Sequence, residues 1–356
     1  MSMFRAPLSA LYSKYEIALH RRYGENCGQS RTPWRRTLPL LAGLALYPAV
    51  SPAQDPGAAP PLPKQGRIIT AGVPGTGPDF IARLIAPKLG EALRQNVVVE
   101  NRPGTNGIAG AQYAARAASD GSVTIMGNAG THAINAALYK KLPYDPVHDF
   151  AAISEIAATP LALVIHPVVP AKSVRELIAL ARKSPGKLNV AIAGAAGEVM
   201  GNALKLQAKI DMKNIPYKGG SQAAIAVISG EADMVLTSYV VVAPHVDAGK
   251  LRVLGVTGAQ RMAQFPHVPT IAEGGVAGYE HEQWYALFAP AKTPVPVVQA
   301  IYREVSRIVN SPEIHERLVA TGHRVIAGTP QELSDKVRRE IEKTRKIMLE
   351  SGMQQL

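Results

Sequence analysis

The sequence predicts an α/β fold in which strands alternate with helices and a largely parallel sheet is covered on both faces. Three observations carry that expectation. From residue 67 onward, short β-branched runs alternate with amphipathic stretches. Glycine-rich turns repeatedly separate a strand from the helix after it. The composition, 47% hydrophobic and 19% charged over 356 residues, suits a folded chain of about two domains. No heptad array and no solenoid-period repeat competes with this pattern.

The first 53 residues stand apart. Arg31, Arg35 and Arg36 precede the apolar run 38–50 (LPLLAGLALYPAV), and Ser51 and Ala53 follow it. A positive segment, a short apolar core and a small-residue exit describe a secretory signal cut after Ala53. The apolar run is short for a membrane anchor, which needs about 20 residues. Arg35-Arg36 leaves twin-arginine export open beside the general route. The single cysteine, Cys27, lies inside this segment. An exported chain would therefore hold no disulfide, thiolate metal site or cysteine nucleophile. Losing 1–53 takes the net charge from +12 to +7. The charges left are scattered, with no basic stripe interleaved with aromatics, so nucleic acid is a poor partner.

Residues 54–66 (QDPGAAPPLPKQG) read as a disordered, Pro-rich lead. Strand RIITAGV (67–73) leads into helix 79–93, then strand NVVVEN (96–101), a small-residue helix over 108–118 and strand SVTIMG (122–127). A second block opens with strand LALVIH (161–166). Ser173 and Glu176 predict a capping box for the helix VRELIALARK. Strand 187–194, helix 221–230 and strands 232–237 and 251–257 follow. The tail predicts helices over 295–310 and 312–322. Thr329, Pro330 and Glu332 occupy N-cap, N1 and N3 of a last helix ending near Ser351.

Catalytic patterns are incomplete. GGSQA (219–223) lacks the last glycine of a nucleophile elbow. The nine histidines are dispersed, none in H-E-x-x-H. GTNGIAG (104–110) hints at dinucleotide binding, but its spacing is G-x-x-G-x-x-G and the acid about 20 residues on is missing. Tight helix–strand packing explains those glycines better. No metal site and no cofactor is expected.

What recurs is strand, Gly-rich loop, helix. VPGTGPD (73–79), MGNAGTHAIN (126–135) and AIAGAAGEVM (191–200) are three cases, and LTSYVV (236–241) is a fourth with hydroxyls for glycine. Each places backbone N–H groups and small hydroxyls at a helix N-terminus, where the dipole favours an anion. In an open α/β sheet such loops gather at the carboxyl ends of strands. In this reading the first loop is a backbone cradle whose glycines keep side chains out of the way. The plain alternative is a turn with Asp79 as helix cap.

At these loops and around them the sequence resembles the periplasmic solute receptors of tripartite tricarboxylate transporters, the TctC or Bug type. The resemblance runs from about Arg67 to the last residue. It rests on VVVENRPGTNGIAG (97–110), INAALYKKLPYDPVHDF (134–150), IPYKGGSQA (215–223), APHVDAGKLRVLGVT (243–257) and WYALFAPAKTP (284–294), in that order. It implies a two-lobed periplasmic-binding-protein clamshell, type II-like, with mostly parallel sheets flanked by helices. One lobe would comprise 67–162 plus 287–356, the other 163–286. It also implies a monomeric, non-enzymatic periplasmic receptor that passes a small organic anion to membrane permease subunits. A ligand sensor for a membrane signalling partner would look the same.

Carried over, the ligand residues are Gly75, Thr76, Gly77 and Asp79, then Asn128 and Thr131, then Gly194, Ala195 and Gly197, then Thr237 and Ser238. The chain departs from the family pattern at Thr76, where a second glycine is usual. Gly197 and Met200 stand where serine and histidine are common. Thr237 stands where an aspartate is common, which leaves fewer acceptors for a ligand ammonium and points to mono- or dicarboxylates rather than amino acids. Trp284 and Tyr285 are expected at the hinge or in the core, and Glu198 as a helix N-terminal acid.

Overall fold

A computed structural model describes residues 61–356. The expected signal, its cut at Ala53 and most of the Pro-rich lead lie outside the described residues. The lead ends sooner than the sequence suggests. Strand β1 spans Gln65–Thr70, and Leu62 already packs on the core beneath it.

The first part of the chain gives β1, α1 (Gly77–Leu93), β2 (Asn96–Asn101), α2 (Ile108–Ala115) and β3 (Val123–Asn128). A π-helical turn, Gly130–Ile134, then runs into α3 (Asn135–Leu138). The second part gives α4 (Val174–Lys183), β5 (Asn189–Ala193), α5 (Gly194–Ala208), β6 (Lys213–Tyr217), α6 (Gly220–Ile228), β7 (Met234–Ser238), α7 (Tyr239–Asp247) and β8 (Arg252–Val256). Between these parts runs β4, a strand of 16 residues from Phe150 to Ile165. β9 (Glu282–Pro290) returns to the first part, followed by α8 (Val295–Val309), α9 (Pro312–Ala320), β10 (Arg324–Val325) and α10 (Pro330–Ser351).

β4 belongs to two sheets. Its first half, from Phe150 to Pro160, pairs with β9; its second half, Leu161–Ile165, pairs with β7 on one edge and β8 on the other. The first sheet runs β2-β1-β3-β9-β4 with β10 beside β4. The second continues through β7, β5 and β6. The two-lobed α/β architecture is thus present, but the sheets are mixed rather than mostly parallel. β1, β2 and β3 are parallel, as are β5, β6 and β7, while every ladder made by β4 or β9 is antiparallel. The strands that cross between lobes run against the helix-connected strands on either side of them.

Alternation sets the two faces. Ile69 and Ile125 join the cluster that includes Leu333, Val337 and Ile341 of α10. Their neighbours Ile68 and Met126 join Ile81 of α1, Ile301 of α8 and Ile314 of α9. Trp284 and Tyr285 divide in the same way between the two clusters, which places both in the core at the crossing.

The expected caps form, with one shift. Thr329 and Glu332 close a full capping box on α10. Ser173 accepts from the Glu176 amide, but the Glu176 carboxylate returns to the amide of Lys172, one residue before the cap. The glycines of 104–110 pack as expected. A Cβ on Gly110 would lie 2.8 Å from Ala71 Cα and 2.8 Å from the Arg102 carbonyl oxygen, and one on Gly107 2.8 Å from the Thr131 methyl. Both obstacles at Gly110 are backbone, so nothing flexible can yield.

Gly110→Ala is therefore expected to destabilise the protein by about 1–3 kcal/mol, read as a lower urea midpoint at unchanged slope. An unchanged midpoint would show that α2 has slack against β1.

Candidate functional site

Strand register brings the loops together. Thr70 of β1 is level with Asn101 of β2 and Met126 of β3. In the second sheet Ala193 is level with Tyr217, and Ala191 with Val235. Parallel strands ending level send all their following helix N-termini to one edge. At that edge lies a cavity of about 270 Å³, lined from both sheets. The first sheet contributes Thr76 and Pro78 at the start of α1, the turn Asn106–Gly107, and Asn128, Gly130 and Thr131. The second contributes the strip Ala193–Ala196 at the start of α5. Gln283 enters from β9.

Of the residues expected from the sequence, Thr76, Asn128, Thr131, Gly194 and Ala195 line this cavity. Gly75, Gly77, Asp79 and Gly197 do not. Thr237 and Ser238 end β7 nearby without reaching it.

Asp79 organises the first loop. It is 3% exposed, and its carboxylate accepts from the Gly75 amide at 2.9 Å, from Arg83 Nε at 3.0 Å and from Asn101 Nδ2 at 2.8 Å. Burial raises its pKa, but the Arg83, Gly75 and Asn101 hydrogen bonds and the Arg83 charge outweigh this and hold it below the ordinary carboxylate value. The helix cap is Thr76, whose hydroxyl turns back to the Val73 carbonyl at 2.8 Å. The glycines serve backbone and packing rather than an approaching ligand. Gly75 has φ +84°, a left-handed conformation, and a Cβ there would meet nothing within 4 Å. Gly77 lies under the Tyr285 ring, whose Oη would be 2.5 Å from an added Cβ.

The second loop is also internally bonded. Asn128 Oδ1 accepts from the Thr131 amide at 3.0 Å, and Thr131 Oγ1 accepts from the Asn128 amide at 3.1 Å. Thr131 Oγ1 also lies 2.9 Å from His132 Nδ1. His132 is fully buried and stacked on Phe288 at 4.0 Å. Its Nε2 has no partner among the described residues. Tyr144 Oη donates to the Thr131 carbonyl at 2.7 Å, and Asn135 Nδ2 donates to the Asn106 carbonyl at 2.9 Å. A π-turn held this firmly is a local departure of the kind often found at functional sites.

The third loop has no comparable internal side-chain bonds. α5 starts at Gly194 (φ +68°) with Ala193 as N-cap and no side-chain cap. No side chain bonds its opening amides, and Ala193–Ala196 line the cavity. Glu198 does not line the cavity. In the fourth loop Thr237 is buried, with its Oγ1 2.6 Å from where a Gly220 Cβ would stand; it supports the start of α6.

Asn106, Gly107, Asn135 and Gln283 line the cavity without having been expected there. Asn106 and Gly107 sit in the glycine run 104–110, whose glycines packing already accounts for. Gln283 carried no signal, because β9 has no turn or Gly motif to mark it. No lining residue carries a charge. Among the described residues no group of three His, Cys, Asp or Glu is placed to hold a metal ion, and no helix is long and apolar enough to cross a membrane.

Two sheets sharing crossing strands, with helix N-termini meeting at a solute-sized cavity, define a two-lobed solute-binding protein. The sequence profile described as tripartite tricarboxylate transporter family receptor matches residues 81–353, and the chain belongs to that family. A UPF0065 protein from the tcbD-tcbE intergenic region of Pseudomonas sp. strain P51 is 34% identical over 316 residues, 87% of this chain and 93% of that one. The structure of Rpa4515 of R. palustris with adipate is 32% identical with a TM-score of 0.72, covering 82% of this chain and 98% of that one. MatC (Rpa3494) of Rhodopseudomonas palustris with bound malate is 29% identical with a TM-score of 0.68, covering 80% and 98%.

Burial pushes the His132 imidazole down to about 3, and burial with the Lys343 charge does the same for His281. The unfolded chain takes up these protons near 6.5. Their stabilisation is therefore complete above about pH 6.5 and is lost on acidification toward 3, by up to about 1.4 kcal/mol per pH unit for each histidine. Urea midpoints measured between pH 4 and 8 should fall on the acid side, and His132→Leu should flatten that slope. An unaltered slope in the variant would place the titration elsewhere.

Proposed function

We propose that this protein is an exported periplasmic receptor, without catalytic activity, that captures a small organic anion and delivers it to the permease of a tripartite tricarboxylate-type transporter. The ligand class is a mono- or dicarboxylate. The observation that carries this reading is the cavity itself, where the starts of α1, the π-turn and α5 converge and no side chain is charged. An anion is then held by amides and dipoles, not by a cation. The lining offers no carboxylate to a ligand ammonium, which disfavours amino acids. At about 270 Å³ the space falls just below the range of about 300–1,000 Å³ typical of larger ligands.

Each helix end is worth about 0.3–2 kcal/mol toward an anion. Three ends supply part of the about 8 kcal/mol behind micromolar affinity. Direct charge-assisted hydrogen bonds and exclusion of water provide the rest. Relatives solved with adipate and malate are in keeping with that ligand class. In this reading the lobes are 67–162 plus 287–356 and 163–286, and they hinge on the crossing strands around the ligand.

Thermal unfolding of the ligand-stripped protein against a panel of carboxylates and amino acids tests the proposal. A carboxylate at about 100 times its dissociation constant adds about 2.7 kcal/mol; no shift across the panel would refute carboxylate capture. Ala195→Asp locates the anion seat. A carboxylate at the start of α5 suits the helix dipole, so the ligand-free Tm should hold or rise. At about 5 Å from a bound anion it costs about 1–3 kcal/mol, or roughly 5- to 150-fold in affinity. Undiminished ligand binding in this variant would move the seat away from α5.

A further inference from the structure

Resting on the reading of the cavity as an anion site, we infer that Gln283 determines specificity, and that the ligand carries a hydroxyl group besides its carboxylate. Strand geometry aims Gln283 into the cavity. β9 pairs without a break against β3, Tyr285 opposite Asn128, so Gln283 lies two residues beyond, past the end of β3 where the π-turn begins. Side chains two apart share a face. Tyr285 is pressed against Gly77 of the first loop, and Gln283 lines the cavity on that same face. Glu282 and Trp284, on the other face, line a separate charged cleft with Lys336 of α10.

Every other polar side chain of the cavity already has one end engaged within the protein. Thr76 Oγ1 is bonded to the Val73 carbonyl, Asn106 Nδ2 to Tyr139 Oη at 2.9 Å, and Asn135 Nδ2 to the Asn106 carbonyl and Tyr144 Oη. Asn128 and Thr131 bind one another. The Gln283 amide makes no side-chain hydrogen bond among the described residues. It is neutral and offers both a donor and an acceptor, so it is the wrong group to balance a second carboxylate. A ligand carbonyl would use only its N–H, and a methylene would use neither end. A hydroxyl uses both, and a site discriminates against a ligand that leaves such an amide, half-buried here, without a partner.

The experiment is isothermal titration of matched pairs: lactate and propionate, 3-hydroxybutyrate and butyrate, malate and succinate. The hydroxylated member of the best-binding pair should bind roughly 10- to 100-fold more tightly. Gln283→Leu should collapse that ratio to within about threefold. Gln283→Glu, of the same shape, should weaken both members through charge repulsion. The ligand-free Tm of each variant checks folding. Carboxylate binding with no hydroxyl preference, or a preference that survives Gln283→Leu, overturns this inference and leaves the receptor reading standing. Binding of no carboxylate by the native chain brings down both.

Discussion

The whole arrangement depends on one strand being hydrogen-bonded into two sheets. β4 gives its first half to β9 and its second half to β7 and β8, and the change of partners falls at Pro160–Leu161. Proline has no N–H to give a ladder. At the next residue the Leu161 amide is taken by the Thr257 hydroxyl at 2.8 Å, and its carbonyl by the Thr257 amide at 2.9 Å. Thr159 Oγ1 is tied to the Gly322 carbonyl at 2.8 Å. The backbone of Leu161 is thus bonded through Thr257 at the point where β4 changes partners.

The cavity follows from that crossing together with a division of labour among the loops. The first two loops spend their side chains on themselves. Asp79 gathers Gly75, Arg83 and Asn101, and Asn128 and Thr131 hold one another. Such closed local networks fix the backbone without leaving a charged group in the opening. The start of α5 does the reverse, with no cap and unclaimed amides. Rigidity on one wall and free donors on the other is a preorganised way to hold an anion, because little has to be ordered when it arrives.

Much of this was legible in the sequence, for identifiable reasons. NVVVEN coincides with β2, and the Thr329–Glu332 pair marks the start of α10, because alternation and capping are local. The first half of β4 (AAISEIAATP) was invisible: it is rich in alanine, carries Glu155 and ends in proline, and tertiary pairing alone makes it a strand. β6 and β9 were likewise not marked, and α5 and α7 were marked only by the loops that open them. At the site, loops with glycine and hydroxyls announced themselves, while the role of each residue did not. Asp79 looks like a ligand or a cap until Arg83 and Asn101 are seen around it. Gln283 depends on register between distant strands, which no single segment encodes.

The burial of Trp284 has an optical consequence. The chain has two tryptophans, Trp34 and Trp284, so removal of residues 1–53 leaves one indole as the dominant fluorophore. That indole is 1% exposed, sits on the crossing strand, and has the Lys336 ammonium 5.8 Å from its ring. Its neighbour in sequence faces the cavity from the opposite side of the same strand. Emission from this single ring is consequently a built-in reporter of the crossing strand, sensitive to a nearby charge and requiring no label.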